Sequence, residues 1–268
     1  YNGKCRLPAP LGRNAGKIVH IVISVQWKSF CKRHLQHLQH IGNHFLNLTD
    51  RRSEAFVNSM THTIQTDFST PLGSGKRNTL NIGAKFISRH NSSDQEDFLS
   101  DGKELIPDPA GSLEYDFFNN IGSIYAEYEG TFGAVGVKAG TRYEHTWQKV
   151  GYSEGDGDDF RLDYGNLIPN ASIQYNMSRQ QNMGLSYNMR ISRPGITYLN
   201  PYVNISDPTV RSYGNTDLKT EMAHNVNLVY NYFSSKWIVN LTLRDTYTGN
   251  GISQFSFYDS DNILNTTY

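Results

Sequence analysis

The stretch "NMGLSYNMRIS", residues 182–192, divides into two lists when read two residues at a time. Met183, Leu185, Tyr187, Met189 and Ile191 are apolar; Asn182, Gly184, Ser186, Asn188, Arg190 and Ser192 are polar. Successive side chains of a strand point to opposite faces, so such a strand has oil on one side and water on the other along its whole length. The same alternation returns through the chain. Leu80, Ile82, Ala84 and Phe86 alternate with Asn81, Gly83 and Lys85. Val135, Val137, Ala139, Thr141, Tyr143, His145 and Trp147 alternate with Gly136, Lys138, Gly140, Arg142 and Glu144. Leu167 to Tyr175, Val226 to Tyr232 and Trp237 to Leu243 repeat the pattern. These runs last roughly 10 to 13 residues, whereas strands of soluble proteins usually last about 5 or 6. A tilted strand crossing a bilayer needs about 9 to 11.

Composition agrees. The 268 residues hold 25 Lys plus Arg and 25 Asp plus Glu, so no net charge argues for nucleic acid. With 37% apolar residues and a mean hydropathy of −0.55, a bundle of transmembrane helices is excluded. The 12% aromatic content, with 17 Tyr, belongs to an ordered chain. The connections alternate as well. "GSGKR" (73–77), "EGTFG" (129–133), "SRQQ" (178–181) and "FSSK" (233–236) are short polar turns; 91–116, 148–163 and 194–220 are long, charged stretches. Short turns at one end and long loops at the other are the wiring of an outer-membrane barrel with the turns in the periplasm. Aromatic residues collect near strand ends (Tyr125, Tyr128, Tyr143, Trp147, Tyr175, Tyr230, Tyr232, Trp237), as in an interfacial girdle. The expected fold is all-β: antiparallel transmembrane β-barrel strands, about eight or nine, forming a partial barrel. Arg142, Glu144, Arg190 and Arg244 fall on the lumen-facing list, and Pro169 falls near the start of an outward run.

"VKAGTRYEHT" (137–146), "NLIPNASIQYNM" (166–177), "YNMRISRPGITYLNPYVN" (187–204) and "SYGNTDLKTEMAHNVNLVYNYF" (212–233) resemble consecutive signatures of the β-barrel domain of TonB-dependent receptors. The resemblance covers residues 61–268, through the order and spacing of its blocks. It implies a nutrient receptor of the Gram-negative outer membrane, importing a glycan, chelated iron or similar ligand. It also implies an energising inner-membrane complex, a surface lipoprotein partner, a plug domain and roughly 22 strands. The chain carries no recognisable plug, so a middle-to-late slice of a receptor is expected. A small complete barrel with a structural or adhesive role is the alternative, and a barrel hydrolase the third class.

Residues 1–60 read differently. Leu35, Leu38, Ile41, Phe45 and Leu48 lie at helical spacing beside His34, His37, His40 and His44. An amphipathic helix, a metal site or an out-of-frame segment each account for that text, and a domain boundary is set at residues 60/61. Cys5 and Cys31 give no disulfide framework. "EGDGDDF" (154–160) reads as a solvated acidic tip rather than a Ca²⁺ loop. The N-x-Ser/Thr triplets at Asn170, Asn176 and Asn240 lie in strands, where small inward polar residues generate them by chance. His62, His90, His145 and His224 are the bases a hydrolase would draw on, and none sits in a catalytic motif. No catalytic residue, cofactor or metal site is therefore assigned. For ligand contact, Tyr198, Tyr202 and Tyr213 stand with Arg190 and Arg193 around the prolines Pro194 and Pro201, which stiffen the loop.

Overall fold

The computed structural model describes residues 18–36, 50–73, 77–100, 104–109, 111–155, 157–207 and 209–268. Nine long strands and one short one form a single antiparallel sheet. In chain order these are β1 (Ile18–Gln36), β2 (Asp50–Leu72), β3 (Asn78–Ser100), β4 (Leu105–Pro107), β5 (Leu113–Phe132), β6 (Val135–Glu154), β7 (Phe160–Asn176) and β8 (Gln181–Ser192). After α1 (Ile196–Leu199), β9 (Asn204–Asp207) and β10 (Val210–Ser212), the wall resumes with β11 (Glu221–Phe233) and β12 (Ile238–Gly249). The spatial order is β1-β2-β3-β5-β6-β7-β8-β11-β12, with β4 on the flank of β3. Each long strand thus pairs with the next, and no pairing joins β1 to β12 among the described residues. The sheet is an open part of a barrel wall.

The strands outlast the expected span. β2 and β3 each have 23 residues, and β5 and β6 each have 20. Only about 9 to 11 are needed to cross a bilayer, so these strands stand well clear of it. Much of 91–116 and 148–163, expected as loop, is therefore strand: β3 runs to Ser100, β6 to Glu154 and β7 begins at Phe160. Ladder pairing continues into water because the neighbouring strand also extends there, with one register shift at Glu114/Tyr115 near the upper end of β5 and β6.

The turn between β5 and β6 is tight. Only Gly133 and Ala134 intervene, and Gly133 has φ +63°. A positive φ at the first central residue alone is the pattern of a II′ hairpin, whose twist matches the flanking strands. Two glycines lie beneath tyrosine rings. A Cβ on Gly83 would come within 2.4 Å of the Tyr125 ring opposite, and one on Gly165 within 2.4 Å of the Tyr143 hydroxyl.

Little of the wall is buried by protein. Buried apolar side chains are few among the described residues, namely Leu113, Phe117, Val150, Ile168 and Leu199. By contrast Ile124 is 64% exposed, Leu167 60% and Leu241 61%, all on the opposite, apolar face. An apolar face this continuous is stable only against lipid. No helix among the described residues is long and apolar enough to cross a membrane. The crossing elements are strands.

β2 runs without a break through residues 60 and 61, so the change of text expected there is not a strand end. Upstream of it, β1 pairs residue by residue with β2, from Ile18 opposite Ser69 to Gln36 opposite Arg51. Val19, Ile21, Ile23, Val25 and Trp27 are exposed and stand opposite Phe68, Thr66, Ile64, His62 and Met60 of the outward face. The alternation is thus present in β1. The helix expected over residues 35–48 and the histidine group His34, His37, His40 and His44 lie outside the residues whose side chains are described, as does Cys5. Cys31 is exposed and free.

Candidate functional site

The inner face is a polar wall. On β5 and β6, Lys138 pairs with Glu127 at 2.8 Å, and Arg142 Nε donates to Glu144 Oε1 at 2.7 Å. Arg193 reaches back from beyond β8 to Glu144 through Nη2, and its Nε donates to Thr146 Oγ1 at 2.9 Å. Tyr125 donates its hydroxyl to Asp67, which also accepts from Gln65 Nε2 at 2.9 Å. Arg190 stands exposed at the margin of this group. Asp67, Tyr125, Arg142, Glu144, Arg190 and Arg193, among others, line a recess of about 720 Å³. On β7, β8, β11 and β12 the same face is laddered with asparagines. Asn170, Asn188 and Asn225 are in register, as are Asn176, Asn182, Asn231 and Asn240. Asn231 Nδ2 donates to Asn182 Oδ1 at 2.8 Å, and Arg244 Nε to Asn227 Oδ1 at 2.8 Å. The N-x-Ser/Thr asparagines Asn170, Asn176 and Asn240 are among these wall asparagines.

Above this wall lies a cap. After β8 the chain folds through α1, β9 and β10, and after β12 it returns as β13 (Phe255–Tyr258) and β14 (Leu264–Thr267). These make a second sheet, β13-β14-β10-β9, with β10 and β14 parallel. Leu199 and the inward residues Thr146, Gln148 and Val150 are almost wholly buried. Asp259 organises the turn between β13 and β14. Its Oδ1 accepts from the N–H groups of Asp261 and Ile263, each at 3.0 Å, and its Oδ2 from Arg211 and Asn265, each at 3.1 Å. The Ile263 N–H, then Asn265, hold its carboxyl below the usual carboxylate range. Tyr152 donates to Asn200 Oδ1 at 2.5 Å and ties β6 to the cap, and burial pushes its phenol above the ordinary range. A recess of about 250 Å³ opens between cap and wall, lined by Gln95, Tyr115, Asn200, Tyr202, Tyr213 and Tyr268, among others.

The sequence that builds this wall and cap matches a family profile. The profile of the outer membrane protein beta-barrel family matches residues 34–268. The chain belongs to that family. It is an outer-membrane protein, and its sheet is part of the family's barrel wall. The matched region begins upstream of residue 61. No significant match was found among curated protein sequences.

Among solved structures, this family member is similar to the ferric-catecholate import receptor Fiu from K12 E. coli, with a TM-score of 0.57 and 12% identity over 94% of this chain and 40% of that one. It is similar to the ferric citrate transporter FecA, with a TM-score of 0.54 and 10% identity over 82% and 30%. The ferric yersiniabactin uptake receptor FyuA from Yersinia pestis gives 0.53 and 11% over 88% and 33%. The chain therefore spans between 30% and 40% of the length of these receptors. At such identities the likeness is one of fold, and it agrees with the receptor-barrel resemblance read from the sequence blocks.

The residues singled out as ligand contacts do not form one group. Tyr202 and Tyr213 share the upper recess, whereas Tyr198 packs edge-on against Tyr268 with ring centres 4.8 Å apart. Arg190 and Arg193 border the lower recess, but Arg193 is held by Glu144 and Thr146. Its position just before Pro194 suggested a loop residue; burial makes it an anchor. The four histidines outside the N-terminal segment all stand on the outward face. His90 pairs with Asp116 at 2.7 Å, His145 with Asp163 at 2.5 Å, and His224 with the Tyr187 hydroxyl at 2.9 Å. In the 154–160 tip, Asp159 accepts from the Tyr152 N–H at 2.9 Å. Among the described residues no group of three or more His, Cys, Asp or Glu is placed to hold a metal.

Proposed function

We propose that this chain is wall and cap of a TonB-dependent nutrient receptor, in which a small polar ligand is met by the cap before passing the charged inner face. The observation that carries this reading is the stacking of two recesses. An aromatic one, with Tyr202 and Tyr213, opens at the loop end, and a charged one, with Arg142, Glu144 and Arg190, lies on the wall. Tyrosine faces contact sugars and aromatic chelates at low entropy cost, and convergent cations and carboxylates suit a polar, hydroxylated or anionic ligand. A chelated metal ion or a glycan satisfies both. The named structural neighbours are transporters or receptors, which favours import over hydrolysis. The energising inner-membrane complex and a surface lipoprotein follow from the same reading.

The test is uptake by cells carrying the complete receptor. Tyr202→Ala with Tyr213→Ala should lower uptake at least tenfold at unchanged surface abundance, and collapsing the proton gradient should stop uptake but not binding. Uptake that survives both treatments refutes the reading. Adhesion without any uptake would instead select a structural barrel.

A further inference from the structure

The outward face carries a second constellation that transport does not use. On this face the residues form rows across the strands. One row reads Ile64, Phe86, Gly122 and His145; the next above it reads His62, Ser88, Asn120, Trp147 and Asp163; the next Met60, His90, Phe118, Lys149 and Arg161. Lys149 and Arg161 thus stand directly opposite each other, two cations on neighbouring strands, a placement that is destabilising unless an anion joins them. Both are exposed, and neither has an ion pair among the described residues. The carboxylates around them are already engaged. Asp163 holds His145, Asp116 holds His90, and Asp159 accepts the Tyr152 N–H.

Immediately below lies an apolar groove of about 440 Å³, lined by Ile64, Phe86, Ile124, Tyr143 and Trp147 and floored by Gly122. The floor is open because Gly122 has no side chain; a Cβ there would come within 3.3 Å of the Trp147 ring. The height fits a lipid interface. Tyr128 stands opposite Ala139 near the turn end. From residue 139 to Trp147 a strand tilted ~40° climbs about 21 Å at ~3.4 Å per residue, close to the ~25 Å apolar band of such barrels. Lys149 and Arg161 sit one step higher, where lipid headgroups begin.

We propose that Lys149 and Arg161 clamp the phosphate of an outer-leaflet lipid while one of its acyl chains lies in the groove beneath. Charge complementarity selects the phosphate, and the continuity of cation pair, aromatic rim and apolar trough selects an amphiphile over a free anion. The site rests on the membrane placement of the chain and not on the transport reading.

The complete receptor, purified in detergent, is titrated with bisphosphorylated lipid A and with the same lipid after phosphate removal, and complexes are counted by native mass spectrometry. A one-to-one complex is expected with the phosphorylated lipid, and roughly tenfold weaker binding without phosphate, about the loss of a charge-assisted hydrogen bond. Lys149→Glu should erase the preference while leaving the melting temperature unchanged or higher, because a carboxylate opposite Arg161 forms a cross-strand ion pair. Ala84→Phe, which fills the groove, should weaken both lipids alike. Equal binding of the two lipids, a preference that survives Lys149→Glu, or full displacement by inorganic phosphate at the lipid's own concentration would overturn the proposal.

Discussion

The wall and the cap of this molecule are built on different principles. In the wall a residue's role follows from its parity: on β6, Tyr143 and Trp147 face lipid while Arg142, Glu144 and Gln148 face inward, and every ladder bond repeats the rule. In the cap, strands of three or four residues pair across large sequence separations, Val210 with Leu264 for example, and single side chains such as Asp259 and Asn200 hold the path. The wall is robust to one lost contact and intolerant of a change of face. The cap is the reverse.

The sharpest break of this contrast is topological. Cysteines at Ser153 and Thr209, both exposed on the loop side, should react with an impermeant maleimide on intact cells, and one at the exposed Ser178 in the β7–β8 turn should not. Labelling at residue 178 alone inverts the barrel. Next comes the parity rule itself. Arg in place of the outward Ile124 or Leu185 should cost about 2–4 kcal/mol near mid-membrane, whereas Arg at the inward Ser186 should change stability by roughly 0.5 kcal/mol. Equal tolerance, measured by unfolding in lipid vesicles, would end the assignment of faces. The smallest effect belongs to the cap. Because the folded Asp259 carboxyl is held below its ordinary value of 3.8, its contribution is complete above that value and fades as pH falls toward the depressed one. Proteolysis of residues 250–268 should therefore quicken at acid pH, and Asp259→Asn should show the faster rate already at neutral pH. An acid-insensitive cap would contradict the hydrogen-bond account.

How far the sequence could be read follows from the same contrast. Parity is local, so both faces and the short turns are legible from it, and it assigns Arg142, Glu144, Arg190 and Arg244 to the face opposite the apolar one. Strand length is less legible, since 91–100 and 148–154 lose their apolar face once above the membrane while keeping their ladder. In β1 the alternation from Val19 to Trp27 was masked by the helical spacing that starts at Leu35. Its meaning shows only against β2, whose residues it matches face for face. The cap left almost no trace. Strands such as Val210–Ser212 are too short to show a period, and "DSDN" (259–262) reads as a turn without revealing that Arg211 and Asn265 close on it.

The glycines beneath tyrosines bear on how such a wall is assembled. A strand that zips up one residue out of place turns every charge toward oil and is rejected by the membrane itself. A slip of two residues restores all faces, so lipid cannot detect it. Tyr125 can: moved by two positions along β3, it would meet Asn81 or Lys85 instead of Gly83, and its ring would have nowhere to lie. A missing side chain thus supplies the one piece of positional information that alternation cannot encode, and Gly83→Ala should leave a wall with the right faces and an uncertain count.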